Sequence, residues 1–134
     1  MSIAYVDTSA LIAVAFDEDS GAAVTARLMG ITHLCSSNLL EAELRSACSR
    51  EGVNFLHDLL ANLVWVFPDR SLAPEIASVL EVGYLRGADL WYLASALYIA
   101  ASEPGKMQFI ALDKQQSTVA KAVGFQIWNA PVPS

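Results

Sequence analysis

The chain has 134 residues, of which 54% are hydrophobic and 16% are charged, and its formal net charge is −6. This length suits one domain with one substantial core, and we expect residues 1–134 to form it. The acidic balance counts against a module that binds nucleic acid passively. It does not exclude a nuclease, because metal ions held by carboxylates can contact the phosphates.

The sequence also bears on location. The sequence contains no run of about 18 uncharged apolar residues, so it predicts no membrane span. Cys35 and Cys48 form no motif and are expected to be buried, reduced thiols. We therefore expect a cytoplasmic protein that does not contact membranes.

Strand and helix signals alternate along the chain. Short β-prone runs predict strands at 3–6, 31–35, 64–67, 107–112 and 125–128. Apolar spacing and stop signals predict helices at 10–16, 21–29, from 39 to near 52, 53–63, 72–85 and 114–123, with another opening at Asp89. Gly87 is expected to end the helix before Asp89. This order favours an α/β fold in which helices cover both faces of a parallel sheet.

The first strand delivers a carboxylate, Asp7, at its end. Thr8 and Ser9 follow as hydroxyl caps for the first helix, and after the second strand the capping candidates are Ser36, Ser37 and Asn38. In an open α/β sheet, ligands bind outside the carboxyl ends of the strands. Asp7 therefore stands either where chemistry is performed or simply at the start of a turn that caps a helix.

Three further acids are expected near the same edge. Asp113 directly follows the predicted strand at 107–112, Glu43 lies early in the helix after the second strand, and Asp89 begins a helix. Such a cluster is self-repelling unless cations bind it or some groups stay protonated. All-oxygen ligands suit Mg²⁺ or Mn²⁺, which would activate water and stabilise charge on a phosphodiester. The positions equally permit helix caps and helix-dipole partners, and the residues alone leave both interpretations open.

Five segments together resemble the PIN-domain ribonucleases, specifically the VapC-type toxins of bacterial toxin–antitoxin systems. They are VDTSAL at 6–11, SNLLEAEL at 37–44, LRGADLWYLASA at 85–96, IALDK at 110–114 and VAKAVGF at 119–125. The resemblance spans nearly the whole chain. It implies a three-layer α/β/α sandwich with a central parallel sheet of about five strands, and a divalent-metal site (Mg²⁺ or Mn²⁺) that cleaves RNA.

The resemblance also assigns roles to residues. Its four catalytic and metal-binding acids fall on Asp7, Glu43, Asp89 and Asp113, and its hydroxyl-bearing positions fall on Thr8 and Ser9. Glu41 competes with Glu43, but the family's spacing of six from Ser37 favours Glu43. Arg45, Arg86 and Lys114 stand beside three of these acids, where they would contact RNA phosphates, balance the acids or form ordinary surface ion pairs.

Two positions depart from the family pattern. Tyr92 stands where a His is common, three residues after the third acid, and Ala111 stands where a Thr or Ser is common, two before the fourth. Neither change removes a carboxylate, so we expect an active site. The second could weaken the positioning of water or metal around Asp113.

Three functions remain open at this stage. The first is a metal-dependent endoribonuclease acting as a toxin that binds RNA and a cognate antitoxin. The second is a non-catalytic interaction module of the same fold. The third is a phosphoryl-transfer domain using Asp7 as nucleophile, which is disfavoured because no predicted strand ends in Lys. The high hydrophobic fraction, with apolar stretches at 56–63 and 90–101, also predicts a homodimer.

Overall fold

A computed structural model describes residues 2–54 and 57–128. Within these ranges the strands are β1 (Ile3–Val6), β2 (His33–Ser37), β3 (Leu63–Val66), β4 (Gln108–Ile110) and β5 (Gln126–Trp128). The α-helices are α1 (Thr8–Ala15), α2 (Gly21–Met29), α3 (Leu40–Glu51), α4 (Ala73–Val82), α5 (Gly87–Ala100) and α6 (Lys114–Val123). Short 3-10 helices lie at His57–Leu59 and Pro104–Lys106.

The strands form one parallel sheet in the order β3-β2-β1-β4-β5. β1 is central, and its residues Ala4, Tyr5 and Val6 are fully buried. The chain builds outward from β1 to β2 and β3 on one side, then to β4 and β5 on the other. The strand order therefore reverses between β1 and β4, which is where open α/β sheets place their binding crevice.

Helices flank this sheet in two groups. Helix α1 packs against α2 and α3, whereas α4, α5 and α6 contact one another. The core includes the stacked rings of Tyr5 and Phe109, with Tyr92 edge-on to Tyr5. The predicted three-layer α/β/α sandwich with a five-stranded parallel sheet is confirmed.

One predicted helix is wrong. Residues 57–63 of the segment expected to be helical at 53–63 contain only the 3-10 turn at 57–59, and Leu63 already belongs to β3; residues 55 and 56 lie outside the described residues. Leu63 pairs with Leu34 of β2. Leucines at spacings of three and four satisfied the helical pattern, but pairing with a distant strand decides this segment.

Several boundaries also differ from prediction. Helix α1 is capped by the Asp7 carboxylate rather than by a hydroxyl, and Ser36 and Ser37 lie within β2 instead of capping α3. Gly87 opens α5 rather than ending the preceding helix. Strand β4 ends at Ile110, so Asp113 follows it after two further residues. A carboxylate cap explains the first of these differences, and pairing with β3 explains the second.

Two sequence-based expectations concern the thiols and membranes. Cys35 and Cys48 are both buried and form no disulfide in the described structure, and burial raises the pKa of the Cys35 thiol to about 11. No helix within the described ranges is long and apolar enough to cross a bilayer.

Candidate active site

Asp7 sits at the carboxyl end of the central strand and is only 4% exposed. Its backbone N–H donates to the carbonyl of Ile110 (2.9 Å), which fixes it beside the end of β4. Its Oδ2 accepts from the backbone N–H of Ser9 (3.1 Å), and its Oδ1 accepts from Nε2 of Gln116 (3.4 Å). Asp7 therefore caps α1, and Gln116 also holds it from across the crevice.

Glu43 reaches the same crevice from the first turn of α3. Its Oε1 accepts from the Thr8 hydroxyl (2.9 Å), and the Thr8 oxygen lies 2.5 Å from the hydroxyl of Tyr92. A threonine hydroxyl has one proton. Because the Thr8 hydroxyl donates this proton to Glu43, it can only accept from Tyr92. Tyr92 is therefore the donor to Thr8. The relay runs from Tyr92 through Thr8 to the carboxylate, and it fixes one oxygen of Glu43.

Glu41, the competing acid, occupies a different environment. It is exposed, and Oε1 lies 3.9 Å from the Arg45 guanidinium on the next turn of α3. The geometry therefore brings Glu43, and not Glu41, to the sheet edge.

Asp89 and Asp113 approach from the other group of helices. Asp89 lies in the first turn of α5, partly exposed, with Oδ2 3.9 Å from Arg86. Asp113 caps α6, and its Oδ1 accepts from the backbone N–H of Gln116 (2.8 Å). The capping role left open by the sequence is thus real for Asp7 and Asp113. It uses one oxygen of each carboxylate.

Electrostatics couple the four acids. Burial raises the pKa of Asp7, against hydrogen bonds from Ser9 and Gln116 that lower it, and the charge of Asp89 raises it further. Burial also raises the pKa of Asp89, as do the charges of Asp113 and Glu43, while Arg86 opposes them. The acids therefore lie close enough to repel one another. Asp7 and Asp89 are also partly removed from water, so repulsion and burial act together to raise the pKa of both.

The PIN-domain profile matches residues 4–122 of the sequence. This match covers most of the chain, all five segments of the resemblance except its last three residues, and all four acids. The chain belongs to the PIN-domain family.

A solved structure supports the fold of this PIN domain. The chain is similar to a chain in the crystal structure of VapBC2 from Rickettsia felis bound to a DNA fragment from their promoter, with 12% identity and a TM-score of 0.56. The alignment covers 95% of this chain and 98% of that one. Comparison with curated protein sequences finds no match.

The two departures of this PIN domain from the family pattern have different surroundings. Tyr92 is buried, and burial together with the adjacent Glu43 raises its pKa, so it remains a neutral donor. At the other position, Ala111 lacks a hydroxyl, but Ser9 Oγ accepts from the backbone N–H of the next residue, Leu112 (2.9 Å). A side chain from α1 thus contacts the loop that leads to Asp113.

The three basic candidates of this PIN domain have exposed side chains, and one of them pairs with an acid of the site. Arg86 and Lys114 are exposed, and so is Arg45. Arg86 pairs loosely with Asp89, and Arg45 with Glu41. These ion pairs at the surface are worth little in water.

Sequence analysis missed Gln116, which contacts three of the four acidic residues and is fully buried. A signal was present: Asp113 and Gln116 have the spacing of a capping box, in which a residue three positions after the N-cap turns back toward it. That spacing identifies a helix start. It cannot reveal that the side chain reaches a strand more than 100 residues away.

Proposed function

We propose that this PIN domain is a divalent-metal-dependent endoribonuclease and the toxin of a toxin–antitoxin pair. The observation that carries the proposal is that Asp89 repels Asp7, Glu43 and Asp113 at the carboxyl edge of the sheet, next to the strand-order reversal. This repulsion destabilises the fold, most of all at the buried Asp7, and therefore favours a function that binds cations.

The donor set fits Mg²⁺ or Mn²⁺. All candidate ligands are carboxylate oxygens, and a buried amide oxygen, Oε1 of Gln116, lacks a partner beside them. In the described ranges no three or more His, Cys, Asp or Glu side chains converge as a ready-made metal cage. Mg²⁺ usually binds through one or two carboxylates and retains several waters, so a dedicated cage is not required. Asp7 and Asp89 are the proposed direct ligands, with Glu43 and Asp113 completing the set directly or through water.

The bound ion would lower the pKa of a water nucleophile and stabilise charge on the scissile phosphodiester. The chain's own residues position the carboxylates. Ser9 and Gln116 hold the two oxygens of Asp7, and the relay from Tyr92 through Thr8 orients Glu43. Arg86, Lys114 and Arg45 would contact RNA phosphates at the rim, which anchors the strand without reading its sequence.

The proposed protein partner is a small cognate antitoxin. The chain's structural likeness to VapBC2 supports a VapC-type assignment. We propose that the antitoxin lays an apolar helix or extended segment on this protein and presents an Arg or Lys to the four acids. A guanidinium would gain charge-assisted hydrogen bonds there and occlude the scissile phosphate. Exposed apolar side chains such as Phe67 (66%) and Tyr84 (71%) are available for the apolar part.

The deciding experiment is RNA cleavage by the purified chain with Mg²⁺ or Mn²⁺ and with EDTA. Asp7→Asn and Asp89→Asn keep side-chain shape and remove the charge that a divalent ion requires, so each should reduce cleavage to background, as should EDTA. Asp19→Asn, in an exposed turn, is the matched control and should cleave normally. Undiminished cleavage in EDTA would refute the metal mechanism. Absence of cleavage by folded wild type under all metal conditions would instead favour a non-catalytic module.

The antitoxin proposal is tested separately. Affinity of a co-purified antitoxin is measured across a salt series for wild type and for the Asp7→Asn, Asp89→Asn double variant. The double variant should bind more weakly and with a shallower salt dependence, because the polar contribution is lost and the apolar one remains. Equal affinity and equal salt dependence would show that the partner does not contact the acids.

A further inference from the structure

Gln116 contacts three of the four acidic residues at the carboxyl edge of the sheet, here called the acidic edge. Its Nε2 donates to Oδ1 of Asp7 (3.4 Å) and to the backbone carbonyl of Asp89 (3.3 Å). Its backbone N–H donates to Oδ1 of Asp113 (2.8 Å). The residue is 0% exposed, so water cannot compete freely for these contacts.

The orientation of the Gln116 amide follows from its partners. Both atoms that the amide nitrogen faces, the Asp7 carboxylate oxygen and the Asp89 carbonyl oxygen, are acceptors. A flipped amide would set its oxygen against both of them, which is repulsive. With the nitrogen facing these two acceptors, the oxygen Oε1 is left buried with no hydrogen-bond partner in the described structure.

An orphaned amide oxygen is unusual in a protein interior, where buried acceptors are nearly always satisfied. The charged side chains that Gln116 contacts, Asp7 and Asp113, are carboxylates, which when ionised accept and cannot donate. Neither of them can therefore satisfy this oxygen. Water molecules in the shell of a divalent ion are strong donors, and outer-shell acceptors for them are a regular part of metal sites.

We propose that Gln116 is a positioning residue for the divalent ion: Nε2 fixes the Asp7 carboxylate, and Oε1 accepts a hydrogen bond from a water molecule in the ion's shell. The inference rests on the proposed function only in taking the four acids to bind such an ion. The competing interpretation is that Gln116 is a purely structural link between α6, α5 and the end of β1.

Gln116→Met separates the two interpretations, since it keeps the length of the side chain and removes both amide atoms. Mn²⁺ is the probe, with its affinity read from the electron paramagnetic resonance signal of the free ion, and Mg²⁺ binding is measured by calorimetry. Loss of an outer-shell partner typically weakens metal binding by about 10-fold or more, and we expect a change of that order. Cleavage by the variant should approach the wild-type rate as Mg²⁺ is raised to saturation.

Gln115→Met is the matched control. Gln115 precedes Gln116 in α6, is exposed, and donates to the carbonyl of Tyr84 (2.8 Å) away from the acids. This variant should bind Mn²⁺ with wild-type affinity. A Gln116→Met protein with a lower melting temperature but unchanged Mn²⁺ affinity would show that the residue is only a structural link.

A second measurement needs no substitution at Gln116. In wild type, the side-chain NH₂ resonances of Gln116 are followed by NMR during a Mg²⁺ titration and should shift with the midpoint found by calorimetry. Resonances that do not move while the protein saturates with Mg²⁺ would overturn the inference, even if Gln116→Met fails to fold. If wild type itself binds neither Mn²⁺ nor Mg²⁺, the proposed metal mechanism fails, which is a distinct result.

Discussion

Asp7→Asn is expected to stabilise the metal-free fold while it abolishes cleavage. The Asp7 carboxylate is 4% exposed, and burial together with the nearby charge of Asp89 raises its pKa. Asparagine has nearly the same shape and can still accept from the backbone N–H of Ser9, although its amide nitrogen then faces the donor Nε2 of Gln116. The substitution therefore removes a buried charge without creating a cavity, which is the usual origin of a stability–activity trade-off.

The size of the effect follows from two opposing contributions. Burying an ion costs several kcal/mol even after relaxation. The donors at 3.1 and 3.4 Å offset part of it, because a hydrogen bond to a charged acceptor contributes about 1.5–3 kcal/mol against about 0.5–1.5 for a neutral one. Asparagine keeps only the bond from Ser9, and the donor–donor contact with Nε2 of Gln116 costs about 1 kcal/mol more. The net gain for Asn over ionised Asp7 is then about 1 kcal/mol, or about 3–5 °C in melting temperature for a chain of this length.

The stability advantage of Asp7→Asn over wild type should increase with pH. Because the folded-state pKa of Asp7 is raised, its protonated form contributes stability that is fully present below the unfolded-state value of about 4 and is lost as pH rises through the folded-state pKa. The advantage of Asp7→Asn should therefore be absent near pH 3.5 and should grow as pH rises above about 4.

The assay is thermal unfolding in EDTA, followed by circular dichroism between pH 3.5 and 8. Asp19→Asn removes the same charge from an exposed turn and controls for the net charge of −6. An Asp7→Asn protein that is less stable than wild type at neutral pH, or an equal gain in Asp19→Asn, would refute the reasoning.

Three further predictions concern the relay, the second acid and assembly. Tyr92→Phe removes the donor to Thr8, and loss of one hydrogen bond of about 1 kcal/mol should lower kcat/KM about fivefold, whereas unchanged steady-state kinetics would contradict the relay. Glu43→Gln should abolish RNA cleavage and Glu41→Gln should not, and the opposite result would reassign the acid. The chain should sediment as a homodimer at tens of micromolar, since apolar side chains such as Val64 and Phe67 are exposed; a monomer alone would contradict this.

The structure changes the evidence on which the predicted homodimer rests. The stretch at 90–101 looked too apolar for a small core, but Tyr92, Leu93 and Ala96 are buried in that core, and only Ile99 of its large apolar side chains is well exposed. The remaining case rests on residues at and beside the edge strand β3. Sequence reveals that a residue is apolar, whereas only the fold decides which face it occupies.

The sequence predicted the sheet and the placement of Asp7 well because both depend on local signals. A buried β-prone run followed by an acid and a helix can be recognised without knowledge of the rest of the chain. Segment 53–63 failed because its apolar spacing suits a helix and its outcome depends on pairing with β2. The periodicity of apolar residues within a segment does not predict hydrogen bonds to a strand that is distant in the chain.

The candidate site also has a part that local sequence signals predict and a part that depends on the fold. Position after a strand or at a helix start brought attention to Asp7, Asp89 and Asp113, and the family spacing selected Glu43 over Glu41. The contacts that orient these acids, from Thr8, Tyr92 and Gln116, join elements distant in the chain. No spacing rule could supply them, since each depends on how the helices pack on the sheet.

The same repulsion that makes the acidic edge costly explains why two very different cations could occupy it. A hydrated divalent ion and an antitoxin guanidinium would both relieve the repulsion that raises the pKa of Asp7 and Asp89. The two proposals together therefore require competition. By linkage, Mg²⁺ must weaken antitoxin binding by the same factor by which the antitoxin weakens Mg²⁺ binding. An inhibitor that used only the apolar surface would show no such reciprocity, so the Mg²⁺ dependence of antitoxin affinity distinguishes displacement at the acids from occlusion elsewhere.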